Sequence, residues 1–219
     1  MPLSSVVGAQ SIVKPGVCTS STRPASPYDG QVIYETDTDK TLVYNGSGWV
    51  QLSTGTANFP GLELVKTQTI GSAVSSVTVS DVFSSTYDNY LMVLSGGAGS
   101  TAQNLNLTLG STSSGYYWSA ILRQYTTSTV TADQGANGSI FAYAGRGTTG
   151  SLSSQITFLN PFLSKNTHVI YQNSGAATAD YYTNGAGYLA DTTSYTAFTL
   201  TTNTGTMTGG TVRVYGYRN

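Results

Sequence analysis

Hydrophobic and polar residues alternate with a period of two through much of this chain. The clearest examples are Val77 and Val79, Leu105, Leu107 and Leu109, Phe198 and Leu200, and Val212 and Val214. This period places successive side chains on opposite faces of a β-strand, so that one face can be buried. Helical periodicity is almost absent, and the pattern therefore predicts an all-β protein.

Most of the predicted strands lie beyond residue 61. They are 62–70, 76–83, 89–95, 104–109, 116–122, 138–144, 155–159, 167–172, 180–182, 187–189, 195–201 and 211–217. Turn-forming residues separate them at 96–99, 110–111, 145–147, 184–185 and 209–210. Short strands at intervals of roughly 8 to 15 residues indicate an antiparallel β-sandwich that is jelly-roll-like.

The last predicted strand has strict alternation. Val212 and Val214 share one face, while Arg213, Tyr215 and Tyr217 share the other. We expect this strand to lie inside a sheet, because an unprotected edge strand invites aggregation.

A second pattern, between residues 23 and 52, predicts a small β-meander. Runs at 31–35 and 41–44 flank a turn at 36–40, and a third run follows at 49–52. A five-residue turn would pair Val32 with Tyr44, Tyr34 with Leu42 and Ile33 with Val43, which makes both faces apolar.

Three such strands have too little area for a core of their own. They either dock on the following domain or join several copies of the chain. The candidate inter-subunit residues are Val32, Ile33, Tyr34, Leu42, Val43, Tyr44 and Trp49.

These patterns divide the chain into four parts. Residues 1–22 have no sustained period and are predicted to form an extended attachment arm. Residues 23–52 form the β-meander module, residues 53–61 a linker, and residues 62–219 the β-sandwich domain.

The amino-acid composition argues against several classes of protein. Only 9% of residues are charged, yet 16 Tyr, 6 Phe and 2 Trp are present, which is typical of a folded chain and not of a disordered one. The net charge of −1 argues against a nucleic-acid partner. The sequence contains no apolar run long enough for a transmembrane helix and no pattern of a signal peptide, so we expect no membrane insertion.

Residues that could carry chemistry are few. His168 lies in a strand run, Cys18 is the single cysteine, and the carboxylates sit beside turn-type residues. Glu35, Asp37 and Asp39 resemble the start of a calcium loop, but the later ligands of such a loop are missing, so a turn is predicted. We therefore expect a protein that is not an enzyme, with no catalytic residue, cofactor or metal.

Two aromatic clusters are the candidate contact surfaces. They are Tyr116, Tyr117 and Trp118, and Tyr181 with Tyr182. Adjacent residues of a strand lie on opposite faces, so at least one ring of each cluster points away from the core. Such a ring packs on a neighbouring subunit or stacks on a sugar ring, and both alternatives remain open.

The string RPASPYDGQVIYETDTD, followed by LVYNGSGWV, resembles a segment that recurs in virion structural proteins of tailed bacteriophages, especially tail fibre and minor structural proteins. Pro24, Gly30, Tyr34, Asp37, Asp39, Tyr44, Asn45, Gly46 and Trp49 carry the resemblance. The likeness covers about thirty residues and extends weakly into the β-sandwich domain through the run TGGTVRVYGYRN.

The resemblance implies a virion component, assembled in the host cytoplasm and commonly a homotrimer. The leading hypothesis is a trimeric tail fibre or receptor-binding protein that contacts other virion proteins through its arm and meander. The alternatives are a capsid decoration (cement) protein and a glycan-binding adhesion module for a host surface polysaccharide. A small hydrolase is disfavoured because titratable groups are scarce.

Overall fold

A computed structural model describes residues 15–52, 61–176 and 180–218. The chain divides into two compact units, Met1–Phe59 and Pro60–Asn219. Both units are built from strands, and the prediction of an all-β protein with a β-sandwich is confirmed. Residues 1–14 of the predicted arm and residues 53–60 of the predicted linker lie outside the described residues.

The first unit contains one small mixed sheet. Its strands are β1 (Gly16–Cys18), β2 (Val32–Glu35), β3 (Lys40–Tyr44) and β4 (Trp49–Gln51), in that spatial order. The antiparallel strands β2, β3 and β4 form the predicted meander, whereas β1 pairs with β2 in parallel. The end of the predicted arm is thus a fourth strand of this sheet.

The predicted register of the meander is wrong by one residue. Val32 pairs with Val43, Ile33 with Leu42, and Tyr34 with Thr41. The cause is a shorter loop, because Lys40 belongs to β3 and pairs with Glu35. Asp39 closes this loop with a φ of 54°, a left-handed conformation that aspartate tolerates better than most residues.

The two faces of the small sheet differ in burial. Ile33 and Leu42 are buried on one face, where Tyr44 also meets Trp49 edge to face at 5.5 Å. Strand alternation puts five other side chains on the opposite face. Val17 (70% exposed) and Val50 (47% exposed) lie there with the half-buried Val32, Tyr34 and Val43.

A buried carboxylate ties the chain segment before β2 to the sheet. Glu35 is fully buried, receives a hydrogen bond from the Arg23 guanidinium and accepts another from Thr38 Oγ1 at 2.7 Å. The neighbouring Asp37 accepts hydrogen bonds from the backbone and side chain of Ser20 at 2.9 and 2.5 Å. These acidic residues therefore serve as hydrogen-bond acceptors that fix the turn.

The second unit contains fourteen described strands. They are β5 (Leu62–Thr69), β6 (Ser76–Val79), β7 (Asn89–Ser95), β8 (Ala98–Gly99), β9 (Gln103–Leu109), β10 (Tyr116–Gln124), β11 (Val130–Gly138), β12 (Phe141–Thr148), β13 (Ser151–Leu159), β14 (Thr167–Ser174), β15 (Tyr181–Leu189), β16 (Phe198–Thr202), β17 (Met207–Thr208) and β18 (Thr211–Tyr217).

Eight of these strands form the jelly roll. The first pairs with the last, and the pairing continues inward: β5 with β18, β6 with β16, β7 with β13, and β9 with β12. We call β5-β18-β7-β13 the first sheet and β6-β16-β9-β12 the second sheet. A short pairing of β12 with β13 joins the two, so that the hydrogen-bonded strands form one continuous twelve-stranded array. This nested antiparallel pairing is the jelly-roll arrangement of two packed sheets.

Two inserted hairpins extend the first sheet. The β10–β11 hairpin follows β9, and the β14–β15 hairpin follows β13. Because β14 pairs with β13 and β15 pairs with β10, the sheet continues as β13-β14-β15-β10-β11. We call β14, β15, β10 and β11 the insertion sheet.

Three local predictions are wrong. Residues 145–147 and 184–185 lie inside β12 and β15 and do not form turns. Their glycines allow close packing, since a Cβ on Gly185 would lie 2.3 Å from the Tyr171 ring. Strand β11 was not predicted, because its exposed residues have no apolar alternation and the strand is held by backbone pairing with β10.

The core lies between the two sheets of the jelly roll. Phe83, Phe158 and Phe198 are buried at its centre, with ring centroids 5.0 to 5.9 Å apart. As predicted, β18 lies inside its sheet, between β5 and β7, with Val212 and Val214 buried.

The Glu35 cluster makes the small sheet sensitive to acid. The hydrogen bond from Arg23, helped by that from Thr38, lowers the pKa of Glu35 below its ordinary value of 4.5. A lowered pKa gives stability that is present above the ordinary value and is lost as the pH falls through the pKa of the folded state. Amide hydrogen exchange in β2 and β3, corrected for intrinsic rates, should therefore accelerate in acid.

The variant Glu35→Gln should reduce this pH dependence, leaving the part that comes from the lowered pKa of Asp37, whose first cause is its hydrogen bond with the Ser20 side chain, and it should speed exchange at neutral pH. Asp29→Asn, at an exposed carboxylate of the same unit, is the matched control and should behave like the parent chain. Equal acid sensitivity in the parent and in Glu35→Gln would contradict the role of this carboxylate.

Candidate functional site

The structure brings both predicted aromatic clusters onto neighbouring strands of the insertion sheet. Tyr116, Tyr117 and Trp118 open β10, and Tyr181 and Tyr182 open β15. The two strands pair over nine positions in antiparallel register, so the clusters lie at opposite ends of the ladder. Because successive side chains of a strand lie on opposite faces, the rings of each cluster are divided between the two faces of the sheet.

Two of the three rings of the first cluster lie on the core side. Tyr116 is fully buried, donates a hydrogen bond to the backbone oxygen of Thr112 at 3.1 Å and accepts one from the amide of Leu109 at 2.9 Å. Trp118 packs against the core and meets Tyr143 edge to face at 5.7 Å. A contact role for Tyr116 is therefore wrong, because its ring has no exposed surface.

The outer face carries a row of three rings. Tyr117 stacks on Tyr188 with centroids 5.1 Å apart and planes 7° apart, and His168 lies 5.9 Å from Tyr188. The three residues are register partners on β10, β15 and β14. Tyr188 was missed by the sequence reasoning, although its spacing of six residues from Tyr182 fits the period of two.

A shallow depression of about 350 Å³ lies beside this row. Ser119 and Ala186 line it with small side chains, while Tyr117, Tyr188 and Gln134 line it with larger ones. Tyr182 also lies on the outer face and is 38% exposed. The outer face thus combines rings with small residues along a nearly flat sheet.

The core-side ring of the second cluster belongs to a polar network. Arg146 stacks over the Tyr181 ring at 4.3 Å and donates from Nη1 to the Tyr181 hydroxyl at 2.9 Å and to Asn104 Oδ1 at 2.8 Å. The Tyr181 hydroxyl donates to the same Asn104 oxygen at 2.5 Å. Burial is the main cause that raises the pKa of Tyr181.

The charge of Arg146 is balanced inside the protein. Its Nε donates to Asp180 Oδ1 at 2.7 Å, and the exposed fractions of the two side chains are 10% and 1%. A buried ion pair fixes geometry more than it adds stability, because both charges lose their hydration. Here the pair holds the guanidinium flat against Tyr181 and aims it at Asn104.

A pocket of about 440 Å³ opens next to this network. We call it the threonine pocket. Its lining consists of Asn104, Leu122, Gln124, Thr127, Thr129, Thr131, Tyr143 and Tyr181. The volume falls within the range of about 300 to 1,000 Å³ that small-molecule sites occupy.

One wall of the pocket carries an unusual backbone conformation. Tyr143 has a φ of 56° at an irregular stretch of the β12–β9 pairing. Its hydroxyl donates to Asp133 Oδ2 at 2.8 Å, and burial together with this carboxylate raises its pKa to about 12. A bulky residue with positive φ is strained, and such strain tends to occur where a side chain must be aimed.

We found no match to this chain among family models, curated proteins or solved structures. Across residues 15–52, 61–176 and 180–218, no helix has the length and apolar character needed to cross a membrane. In those same ranges, histidine, cysteine, aspartate and glutamate do not come together in any group of three that could hold a metal ion. The geometry of the site is therefore the basis for identifying a ligand.

The Arg146–Asp180 pair predicts a characteristic response to mutation. Arg146→Met leaves the buried Asp180 carboxylate without its cation and should lower the free energy of unfolding by about 3 to 5 kcal/mol. Arg146→Met combined with Asp180→Asn removes both charges and should recover much of that loss. Urea unfolding of the full chain measures both values.

Arg123→Met is the matched control, since Arg123 is exposed on β10. Its unfolding free energy should stay close to that of the parent chain. A double variant that is less stable than Arg146→Met alone would show that the buried charge of Asp180 is not the cause.

Proposed function

We propose that this chain is a non-enzymatic structural protein of a tailed-bacteriophage virion, namely a homotrimeric tail fibre or receptor-binding component. Its N-terminal region attaches the protein to other virion proteins, and its jelly roll projects from the particle. The proposal is supported by the resemblance of residues 23–52 and by the apolar surface described next.

The observation that carries the proposal is the apolar outer face of the extended first sheet. Register and alternation put seven large apolar side chains with substantial exposure on this face. They are Leu62, Leu64, Ile121, Val130, Ile170, Tyr182 and Tyr217, each at least 36% exposed. Arg123, Asn184 and Gln172 lie on the same face, so these apolar side chains are interspersed with polar ones. Apolar surface left exposed on a sheet is typical of an interface between chains.

The first unit supports attachment by the N-terminal region. Its valine-rich face, with Val17, Val32, Val43 and Val50, is likewise partly exposed. A four-stranded sheet of this size gains stability when a partner covers such a face, because a small unit buries little apolar area by itself.

Four of the six carboxylates of the second unit support a structural role. Asp180 binds Arg146, Asp133 accepts from Tyr143, and Asp191 accepts from Tyr195 at 2.5 Å. Glu63 accepts from Tyr87 and pairs with Arg218. Each of these groups holds parts of the fold together, whereas a hydrolase needs two carboxylates free to face a substrate.

A second candidate function, adhesion to a surface polysaccharide, is favoured by one observation. Hydroxyl and amide groups dominate the lining of the threonine pocket, and none of the described residues that line it carries a charged side chain. The two functions are compatible, because the pocket opens on the core side of the insertion sheet and the apolar face lies on the other side.

Light scattering on the purified full chain should give the mass of a trimer. The double variant Ile121→Asp with Ile170→Asp should shift the mass towards a monomer, because it puts two carboxylates in the apolar outer face. Ser76→Asp, at an exposed position of β6 in the other sheet, is the control and should leave the trimer intact. A parent chain that is monomeric at micromolar concentration would contradict the proposal.

Deleting residues 1–14 should prevent incorporation into particles while leaving the amide spectrum of the jelly roll unchanged. The cut is placed there because Gly16–Cys18 form β1 and belong to the small sheet. Quantitative immunoblotting of purified particles measures incorporation, and normal levels of the truncated chain would count against attachment by this region. Locating the tagged parent chain on the tail or on the capsid distinguishes a fibre from a decoration protein.

A further inference from the structure

We infer that the threonine pocket binds a neutral saccharide through its hydroxyl and amide groups. This inference deepens the attachment role proposed above and rests on it for the source of the ligand, a host surface glycan. Of the residues that the sequence indicated, Tyr181 lines this pocket, whereas the half-buried Tyr117 and the exposed Tyr182 lie on the opposite face of the sheet.

The pocket contains side chains whose hydrogen-bonding groups are not used by the fold. Thr127, Thr129 and Thr131 line it with three hydroxyls, and Gln124 adds an amide. None of these four side chains forms a hydrogen bond within the described part of the chain. Each hydroxyl both donates and accepts, which matches the hydroxyls of a sugar.

Asn104 forms a polar part of the pocket wall and is held in one orientation. Asn104 Oδ1 already accepts hydrogen bonds from Arg146 and from Tyr181, so the orientation of its amide is set. With the oxygen occupied, the Nδ2 donors of Asn104 are left for a ligand. A preoriented donor adds affinity because little conformational freedom is lost when the ligand binds.

The charged groups near the pocket are already paired within the protein. The guanidinium of Arg146 is not among the described groups that line the pocket, and its charge is balanced by Asp180. The Asp133 carboxylate is engaged by the Tyr143 hydroxyl. A neutral lining does not repay the cost of desolvating an ionised group, so acidic sugars and phosphorylated ligands are disfavoured.

The pocket also supplies rings. Tyr143 and Tyr181 line it, and one face of Tyr181 is covered by Arg146. Aromatic side chains offer an apolar surface to the C–H groups of a sugar while their hydroxyls remain hydrogen-bonded. The strained φ of Tyr143 holds one of these rings at the pocket wall.

The test is a titration of the isotope-labelled full chain followed by amide chemical shifts. The probes are methyl α-glucoside, methyl β-galactoside and N-acetylglucosamine as neutral sugars, and glucuronate as an acidic one. At least one neutral probe should give saturable shifts at Tyr181, Thr129 and Thr131 at millimolar concentration, and glucuronate should bind more weakly.

The double variant Thr129→Val with Thr131→Val keeps the shape of the side chains and removes two hydroxyls. It should weaken binding about tenfold or more, which corresponds to about 1.4 kcal/mol. Thr67→Val, at an exposed threonine of β5, is the matched control and should bind like the parent chain. A dispersed amide spectrum confirms that each variant is folded.

Three outcomes would overturn the inference: no saturable shift with any neutral probe, tighter binding of glucuronate, or an equal loss in Thr67→Val. A chain that is found in particles but binds no neutral probe refutes the saccharide site alone. A chain that binds a neutral probe but is absent from particles refutes the virion role alone.

Discussion

The ladder between β10 and β15 is the interaction on which the functional part of this protein depends. These strands belong to hairpins inserted at different points of the jelly roll, and they pair over nine positions. Without that pairing, the β10–β11 hairpin has no other strand partner among the described strands, and the β14–β15 hairpin is held only along β13. A lone hairpin is marginal in water. Their union doubles the width of one sheet. It also puts the exposed outer face and the threonine pocket on opposite sides of one sheet, so that the proposed self-association and the proposed ligand binding would use different surfaces.

A chain with few charges satisfies its polar groups largely through tyrosine hydroxyls. Tyr116, Tyr143, Tyr181 and Tyr195 each link one strand or loop to another. A tyrosine covers apolar neighbours with its ring and still ends in a donor, so it packs the core and closes a network at once. Burial raises the pKa of Tyr195 to about 12, with Asp191 as a further cause, and the hydroxyl therefore remains a donor at neutral pH. Two ion pairs with a buried carboxylate supplement these hydroxyls, Arg23 with Glu35 in the first unit and Arg146 with Asp180 in the second, and the second pair fixes the direction of a guanidinium.

The β-sandwich could be predicted because the alternation of apolar and polar residues shows which face of each strand is buried, as at Leu105, Leu107 and Leu109. The opposite directions of Tyr116 and Tyr117 followed from the same rule. Local register was harder, since one residue in the loop before Lys40 decides which side chains of the small sheet meet. The glycines were ambiguous, because a glycine can mark either a turn or a position inside a strand where another group packs closely. Gly185 is of the second kind. The Tyr181 network could not be predicted, since its partners Arg146 and Asn104 lie 35 and 77 residues away in the chain.

The position of β18 has a consequence for how the protein folds. This strand comes last among the described strands and lies between β5 and β7, which are early ones. Those two strands cannot pair with each other in the native sheet and must keep a gap until residues 211–217 have been synthesised. Loop closure over such a separation is slow. During translation the open slot is a template for any exposed strand, including the same strand of a sister chain, so chains that grow close together run the risk of exchanging strands.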